Sequence, residues 1–311
     1  MLPNAATNSR HRCGNCAAKI REKKRLAKPR AIEETEPVKS FTRPWMRWVP
    51  SALILLCTFG HNLPAADTAT KAKPVLLYSR YFNAEGESRY LPDGTCKDVL
   101  GKLRGEFEVR VHHEALTAQN LSGVNVVLVL NPSDKAVGSH PAPPHFTAKE
   151  IAVLTAFVEQ GGGFIIMGNQ ENHNFEVEDT NHLLAHFGLQ FTNLYTDVKK
   201  LVVPKDAPLI GGLNWGYYTG NLLTLTPNHA AKPRAVVVND LQQKPLKGPR
   251  DTAGVLLAIA EPGQGRVVAV TDAGWITNTA LNEEGIGGVA VKGQDNWEIL
   301  RRLTRWAAHA P

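Results

Sequence analysis

Asn169, Gln170, Glu171 and His173 follow directly on the apolar run Phe164 to Met167. A strand ending there delivers two amides, a carboxylate and an imidazole to one place. As a site they offer adaptable donors and acceptors; the alternative is a polar loop with a solvated histidine. A second group holds Asp272, Asn278 and the pair Asp295-Asn296. Two carboxylates and amide oxygens suit a hard cation or sugar hydroxyls. Equally, Asp272 caps a turn, Asn278 closes a loop and Asp295 caps the last helix. With Asn131, at the exit of an earlier apolar run, the candidate binding set is Asn131, Asn169, Gln170, Glu171, His173, Asp272 and Asn278. A hydrolase would draw on Asp272 with His173 or Glu171.

Other reactive types are weaker. His112 and His113 stand beside Glu114, but neighbours on a strand point to opposite faces, so both cannot easily serve one ion. Cys96 near a helix start could be an acidified thiol, yet no base goes with it and a small buried residue is the preferred reading. Cys13 and Cys16 form C-x-x-C without a second Cys or His pair at zinc-finger distance. No cofactor and no metal site is assigned. Trp215, Tyr217 and Tyr218, set among glycines, either form a stacking surface for a sugar or peptide or cover the sheet edge, which is preferred.

The elements that position these residues start from Thr147 to Asn172. Thr147 and Glu150 have capping-box spacing, so a helix begins at about Ala148 with Ile151, Leu154, Phe157 and Val158 on one buried face. Gly161 supplies a left-handed stop. Phe164 to Met167 is apolar without alternation, as in a parallel strand covered on both faces, and ligands of such sheets bind beyond the carboxyl ends of the strands. Before it come strands at Val75 to Tyr78, Phe107 to Val111 and Val124 to Leu130, and a helix capped by Thr95 running to about Arg104. After it come a helix from Thr180 to Phe187, a strand at Leu189 to Thr192, and short strands at Lys200 to Val203, Leu222 to Thr226 and Ala235 to Val238. Gly254 to Ala260 and Arg266 to Thr271 flank a glycine-bearing turn and read as a hairpin. A helix from Asp295 to Ala308 closes the chain, with Trp297, Leu300, Leu303 and Ala307 inward. The sum is an α/β three-layer sandwich, a mainly parallel flavodoxin-like sheet with a late antiparallel hairpin and a C-terminal helix.

The net charge of +6 is uneven. Residues 1–50 hold 12 Lys and Arg against 4 Asp and Glu, leaving 23 against 25 for the rest. The folded part is thus slightly acidic, and nucleic-acid binding is not expected. Met46-Arg47-Trp48, the apolar run Val49 to Gly60 and Asn62 to Ala66 read as the three regions of a secretory signal, cut near Ala65 or Ala66. The apolar run is short for a span, which takes roughly 20 residues; an uncleaved anchor is the alternative, and the only expected membrane contact. The expected organisation is a basic extension or start-site artefact at 1–45, a signal at 46–66, a linker at 67–73 and one α/β domain at 74–311. The expected location is exported, periplasmic or extracellular. With only Cys96 left after cleavage, the domain relies on its core.

Several strings resemble the class I glutamine amidotransferase-like superfamily, in its non-catalytic branches: ThuA-like proteins, the amino-terminal domain of an intraflagellar-transport protein, and bacterial domains of unknown function. They are V-N-V-V-L-V-L-N-P, F-V-E-Q-G-G-G-F-I-I-M-G, N-H-L-L-A-H-F-G-L-Q-F, D-A-P-L-I-G-G-L and G-R-V-V-A-V-T-D-A-G-W-I-T-N, followed by Q-D-N-W-E-I-L-R-R-L-T-R-W. The resemblance spans about Pro74 to Ala308. It implies a cysteine on the turn after Met167 and H-x-E after Val270 in a working amidotransferase. Here stand Gly168-Asn169-Gln170 and Thr271-Asp272-Ala273-Gly274, with neither nucleophile nor base. The resemblance therefore implies a binding or scaffolding domain, with carbohydrate or a cell-envelope protein as partner.

Overall fold

The computed structural model describes residues 72–169, 173–240, 252–284 and 292–311, all within the unit Asp67–Pro311. The extension at 1–45 with Cys13 and Cys16, the signal segment at 46–66, most of the linker, and Gln170 and Glu171 lie outside the described residues.

In chain order the strands are β1 Val75–Ser79, β2 Glu108–His112, β3 Val126–Leu130, β4 Gly163–Met167, β5 Leu189–Phe191, β6 Thr196–Val202, β7 Asn214–Gly220, β8 Leu223–Leu225, β9 Arg234–Asn239, β10 Gly254–Ala260 and β11 Arg266–Val270. The helices are α1 Lys97–Glu106, α2 Ala148–Glu159, α3 Glu178–Ala185, α4 Asn278–Leu281 and α5 Asn296–Ala307. The main sheet runs β2-β1-β3-β4-β11-β10-β8-β5, with β9 also paired to β10. From β2 to β11 the strands are parallel, and β10 folds back on β11 as the expected hairpin. β6 and β7 form a separate antiparallel ribbon.

The sheet is buried on both faces because its central strands are apolar at every position, and the period of two deals their side chains alternately to opposite sides. Phe164 and Ile166 join one core with Leu154 and Val158 of α2 and Leu183 and Leu184 of α3. Ile165 and Met167 join the other, with Leu100 and Leu103 of α1, Ile299 and Leu300 of α5, and Trp215 and Tyr217 of the ribbon. This is the expected three-layer arrangement. At the start of α2 the Thr147 hydroxyl accepts from the Glu150 N–H at 3.3 Å, and the Glu150 carboxylate accepts from the Thr147 N–H at 3.1 Å. Such a cap contributes about 1 kcal/mol. Gly161 ends the helix at φ +110°.

Several local expectations are corrected. Thr95 does not cap α1. Cys96 holds the cap position without a side-chain bond, and the remote Asn278 accepts from the Asp98 N–H at 3.0 Å instead. Asp295 does not cap α5; its carboxylate accepts from the Asn214 N–H at 2.8 Å and so ties down β7. Trp297 is only partly buried, and Ile299 and Thr304 share the inner face. Strand β7 was unexpected, and β6 starts at Thr196 rather than Lys200. The reason is an irregularity in the ribbon, where Lys199 and Tyr218 face each other with φ of +69° and +84°. That irregularity interrupts the period of two on which strand recognition depends.

The hairpin turn is bolted to the end of α2. Gln264 donates its N–H to Glu159 O at 3.0 Å and Arg266 to Gly162 O at 3.3 Å. A β-carbon on Gly265 would collide with the main-chain oxygens of Val158 and Gly162, whereas one on Gly101, exposed in α1, would meet nothing. Gly265→Ala is therefore expected to cost about 2 kcal/mol or more. Gly101→Ala should stabilise by about 0.5–1 kcal/mol. Urea unfolding of both variants checks the opposite signs.

Candidate functional site

Strands β3, β4 and β11 are adjacent and parallel, so Asn131, Gly168-Asn169 and Thr271-Asp272 leave the sheet side by side at its carboxyl edge. Asn169 is at the centre. Its side-chain amide donates to the Tyr90 hydroxyl at 2.7 Å, and its side-chain oxygen accepts from the Ala273 N–H at 2.9 Å. Its own N–H donates to the Asn131 side-chain oxygen at 2.9 Å. Asn131 holds φ +45°, a conformation that asparagine tolerates better than most residues. It donates its side-chain amide to His173 O at 3.2 Å, while Asn83 donates to Asn131 O at 2.8 Å. Asn221, just after β7, donates its N–H to Thr271 O at 2.8 Å. Asn83, Asn131, Asn169 and Asn221 are all buried. Tyr90, carried by the loop after β1, lies over the group and is buried too.

Asp272 is 2% exposed. One carboxyl oxygen accepts from the Gly274 N–H at 2.8 Å, and the other has no hydrogen-bond partner. Burial pushes its pKa up to about 8, against the pull of neighbouring main-chain N–H groups and the Lys199 ammonium. Lys199 is itself buried, ion-paired with Asp197 and stacked on the Tyr218 ring at 3.8 Å. Tyr90 and Tyr217 are held protonated, first by burial and then by the nearby Asp272. Asp272 is thus an acid kept neutral near pH 7.

The remaining candidates lie apart from this carboxyl. His173 is half-buried, its imidazole lowered in basicity by burial and by the Arg89 guanidinium. No hydrogen bond or ion pair joins it to Asp272 among the described residues. Asn278 bridges the starts of α4 and α1, donating to Gly94 O at 2.8 Å and accepting from Asp98. Asn296 clamps the ribbon, accepting from Gly216 N–H at 2.9 Å and donating to Trp275 O at 2.8 Å. Trp215 and Tyr217 are fully buried, and Trp215 packs edge-on against Tyr217 and Trp275, so neither offers a stacking surface. Cys96 is buried and its thiol pushed up to about 12.

Sequence reasoning missed Tyr90, Asn83, Asn221 and Lys199, which converge from loops and the ribbon with no common spacing. It also missed a second group. His145, Glu176 and Asp179 bring one ligand-type atom each to within 4.8 Å of one another, beside a cavity of about 260 Å³. They lie 31 and 3 residues apart, so no local motif marks them.

A family model described as the IFT52 GIFT domain matches residues 81–213. The chain is 24% identical over 136 residues to the human intraflagellar transport protein 52 homolog, covering 42% of this chain and 29% of that protein. It therefore spans less than a third of the relative's length. The solved mmIFT52 N-terminal domain superposes with a TM-score of 0.53 at 17% identity, covering 75% of this chain and 96% of that one, which shows a shared fold. A ThuA-like protein from Bacteroides uniformis gives a TM-score of 0.47 at 15% identity, covering 80% and 95%. These relatives correct the expected location. The matching sequence is that of an intraflagellar transport protein, not of an exported or periplasmic one.

The neutral Asp272 gives the fold a defined pH dependence. An aspartate in the unfolded chain loses its proton near pH 4, whereas the folded chain keeps this one to about pH 8. The native state therefore binds the extra proton, and stability falls as pH rises between those values. Asp272→Asn keeps the acceptor for Gly274 and removes the titration. Its urea midpoint should gain on wild type by an amount worth a few kcal/mol between pH 5 and pH 9. Parallel pH profiles would contradict this.

Proposed function

We propose that this chain is a non-catalytic binding module, a scaffold domain whose partners are proteins. The observation that carries the reading is the state of Asn169. It occupies the strand exit where a hydrolase of this architecture would expose a nucleophile, and its side chain is spent on holding Tyr90 and Ala273. A residue so enclosed stiffens the sheet edge rather than meeting a substrate. The descent implied is from the class I amidotransferase-like fold, with Gly168-Asn169-Gln170 at the nucleophile turn and Thr271-Asp272-Ala273-Gly274 in place of the histidine and glutamate. Similarity to an intraflagellar transport protein supports the same direction, since such a protein belongs to a transport system.

The hydrolase reading rests on Asp272, an acid protonated at neutral pH. Against it stand the burial of that carboxyl and the absence of any hydrogen bond to His173 among the described residues. A carbohydrate partner loses its main support with Trp215 and Tyr217 in the core.

Binding would use surface residues instead. Leu194 is 52% exposed and Val238 48% exposed, so both offer apolar side chains that a protein partner could cover. Leu194→Asp and Val238→Asp are expected to leave the melting temperature within about 2 °C of wild type, because an exposed site loses little on substitution. They should also remove proteins that proximity labelling detects around the tagged wild-type chain in its native cell. Unchanged labelling by both variants would count against this surface. Turnover of glutamine, esters or glycosides by wild type, lost in Asp272→Asn, would overturn the non-catalytic reading.

A further inference from the structure

We propose that His145, Glu176 and Asp179 form a binding site for a divalent transition-metal ion of the zinc class, with Asp134 buttressing the histidine. The inference stands beside the scaffold reading and does not rest on it.

Two loops at the carboxyl edge of the sheet supply the residues. Asp134 and His145 belong to the segment between β3 and α2, and Glu176 and Asp179 to the segment that leaves β4 and opens α3. The two segments are already paired. Ser133 bridges Phe175, the Glu176 N–H donates to Pro132 O at 2.8 Å, and the Asp134 N–H donates to Asn174 O at 3.0 Å. The donor atoms thus converge on a framework held by main-chain bonds, as a preorganised site requires.

The donor geometry suits zinc. His145 Nδ1 and one Asp179 oxygen are 3.2 Å apart, close to the edge of a tetrahedron of donors set about 2.0–2.1 Å from a zinc ion, which is about 3.3 Å. The Glu176, His145 and Asp179 atoms all fall within 4.8 Å, so the His145 and Asp179 side chains would close toward the fixed Glu176 carboxylate by up to about 1.5 Å to complete three ligands. Glu176 is 3% exposed. Its oxygens accept from the Asp179 and Thr180 N–H groups at 2.9 Å each, which fixes the carboxylate and leaves lone pairs over. Behind the histidine, an Asp134 oxygen lies 3.7 Å from Nε2. A carboxylate facing the far nitrogen is the usual support of a metal-bound imidazole, fixing its tautomer and orientation.

Charge points the same way. Asp134, Glu176, Glu178 and Asp179 all line the 260 Å³ cavity, and no lysine or arginine lines it with them. His145 and His182, which faces the other Asp179 oxygen at 3.2 Å, are the only basic side chains that touch the group among the described residues. The positive end of the α3 dipole opposes a cation here by about 0.3–1 kcal/mol, a small term against four carboxylates. The imidazole favours zinc-class ions over magnesium or calcium, and the lack of thiolate disfavours copper(I). Without metal, His145 is an imidazole hydrogen-bonded to Asp179, with the Asp134 carboxylate 3.7 Å from its other nitrogen, and that is the competing explanation of the cluster.

The test uses the full chain carrying Cys13→Ser and Cys16→Ser, so that the C-x-x-C pair cannot supply the binding. After chelator treatment it is titrated with Zn²⁺, Mn²⁺, Mg²⁺ and Ca²⁺ by calorimetry and followed by thermal melting. One equivalent of Zn²⁺ should bind and raise the melting temperature, with Mg²⁺ and Ca²⁺ at least 100-fold weaker. His145→Ala and Asp179→Asn should each weaken Zn²⁺ at least 100-fold, and Asp134→Asn by 10–100-fold, the range for loss of a supporting carboxylate. His113→Ala, at an exposed histidine elsewhere, should change nothing. Far-UV circular dichroism confirms that each variant is folded, with His145→Asn standing in for any that is not. No stoichiometric Zn²⁺ binding, binding undiminished by His145 and Asp179 substitutions, or equal affinity for Ca²⁺ would each overturn the proposal.

Discussion

The carboxyl edge of the sheet depends on one neutral side chain that both gives and accepts hydrogen bonds. Three parallel strands end together, and their exits leave main-chain groups that no neighbouring strand can pair. The Asn169 amide joins two of those exits, accepting from the Ala273 N–H on one side and donating to the Tyr90 hydroxyl on the other, while Asn131 accepts from the Asn169 N–H. A carboxylate could only accept and an ammonium could only donate. An amide does both without the desolvation cost of a buried charge, which is why asparagines gather here.

The same economy explains the ribbon. β6 and β7 do not extend the main sheet, so they must be held by side chains. Asp295 and Asn296, at the start of α5, bind the main chain of Asn214 and Gly216, and Tyr217 places its hydroxyl 2.7 Å from that of Thr271. The wall of Trp215, Tyr217 and Trp275 fills the space between ribbon, sheet and α5. Polar contacts fix the position of the ribbon; aromatic volume supplies most of its burial.

Much of this was legible in the sequence, and the legible parts share a physical character. The cap at Thr147 and Glu150, the stop at Gly161 and the uninterrupted apolar runs of β3 and β4 are local, so spacing alone reveals them. The hairpin and closing helix follow from the same kind of pattern. What stayed hidden acts across the chain. Asn278 caps a helix 180 residues away, Tyr90 meets Asn169 across 79 residues, and Lys199 breaks the alternation that would have announced β6. Asn131, Asn169 and Asp272 could be named because each follows an apolar run. Their partners could not, because a hydrogen bond between distant loops leaves no periodicity in either. Location is a different matter: a charged start, an apolar stretch and small residues spell an export address, whereas the sequence relative is an intraflagellar transport protein.

One margin of the main sheet is β2, which among the described residues pairs only with β1. Its outer face carries Glu108 and Arg110, both exposed and joined at 2.8 Å, while Val109 and Val111 pack inward. An open margin of this kind can recruit a stray extended chain, and alternating charge is a common guard against it. Glu108 and Arg110 thus protect solubility at the point where the main-chain hydrogen-bonding groups of β2 face outward.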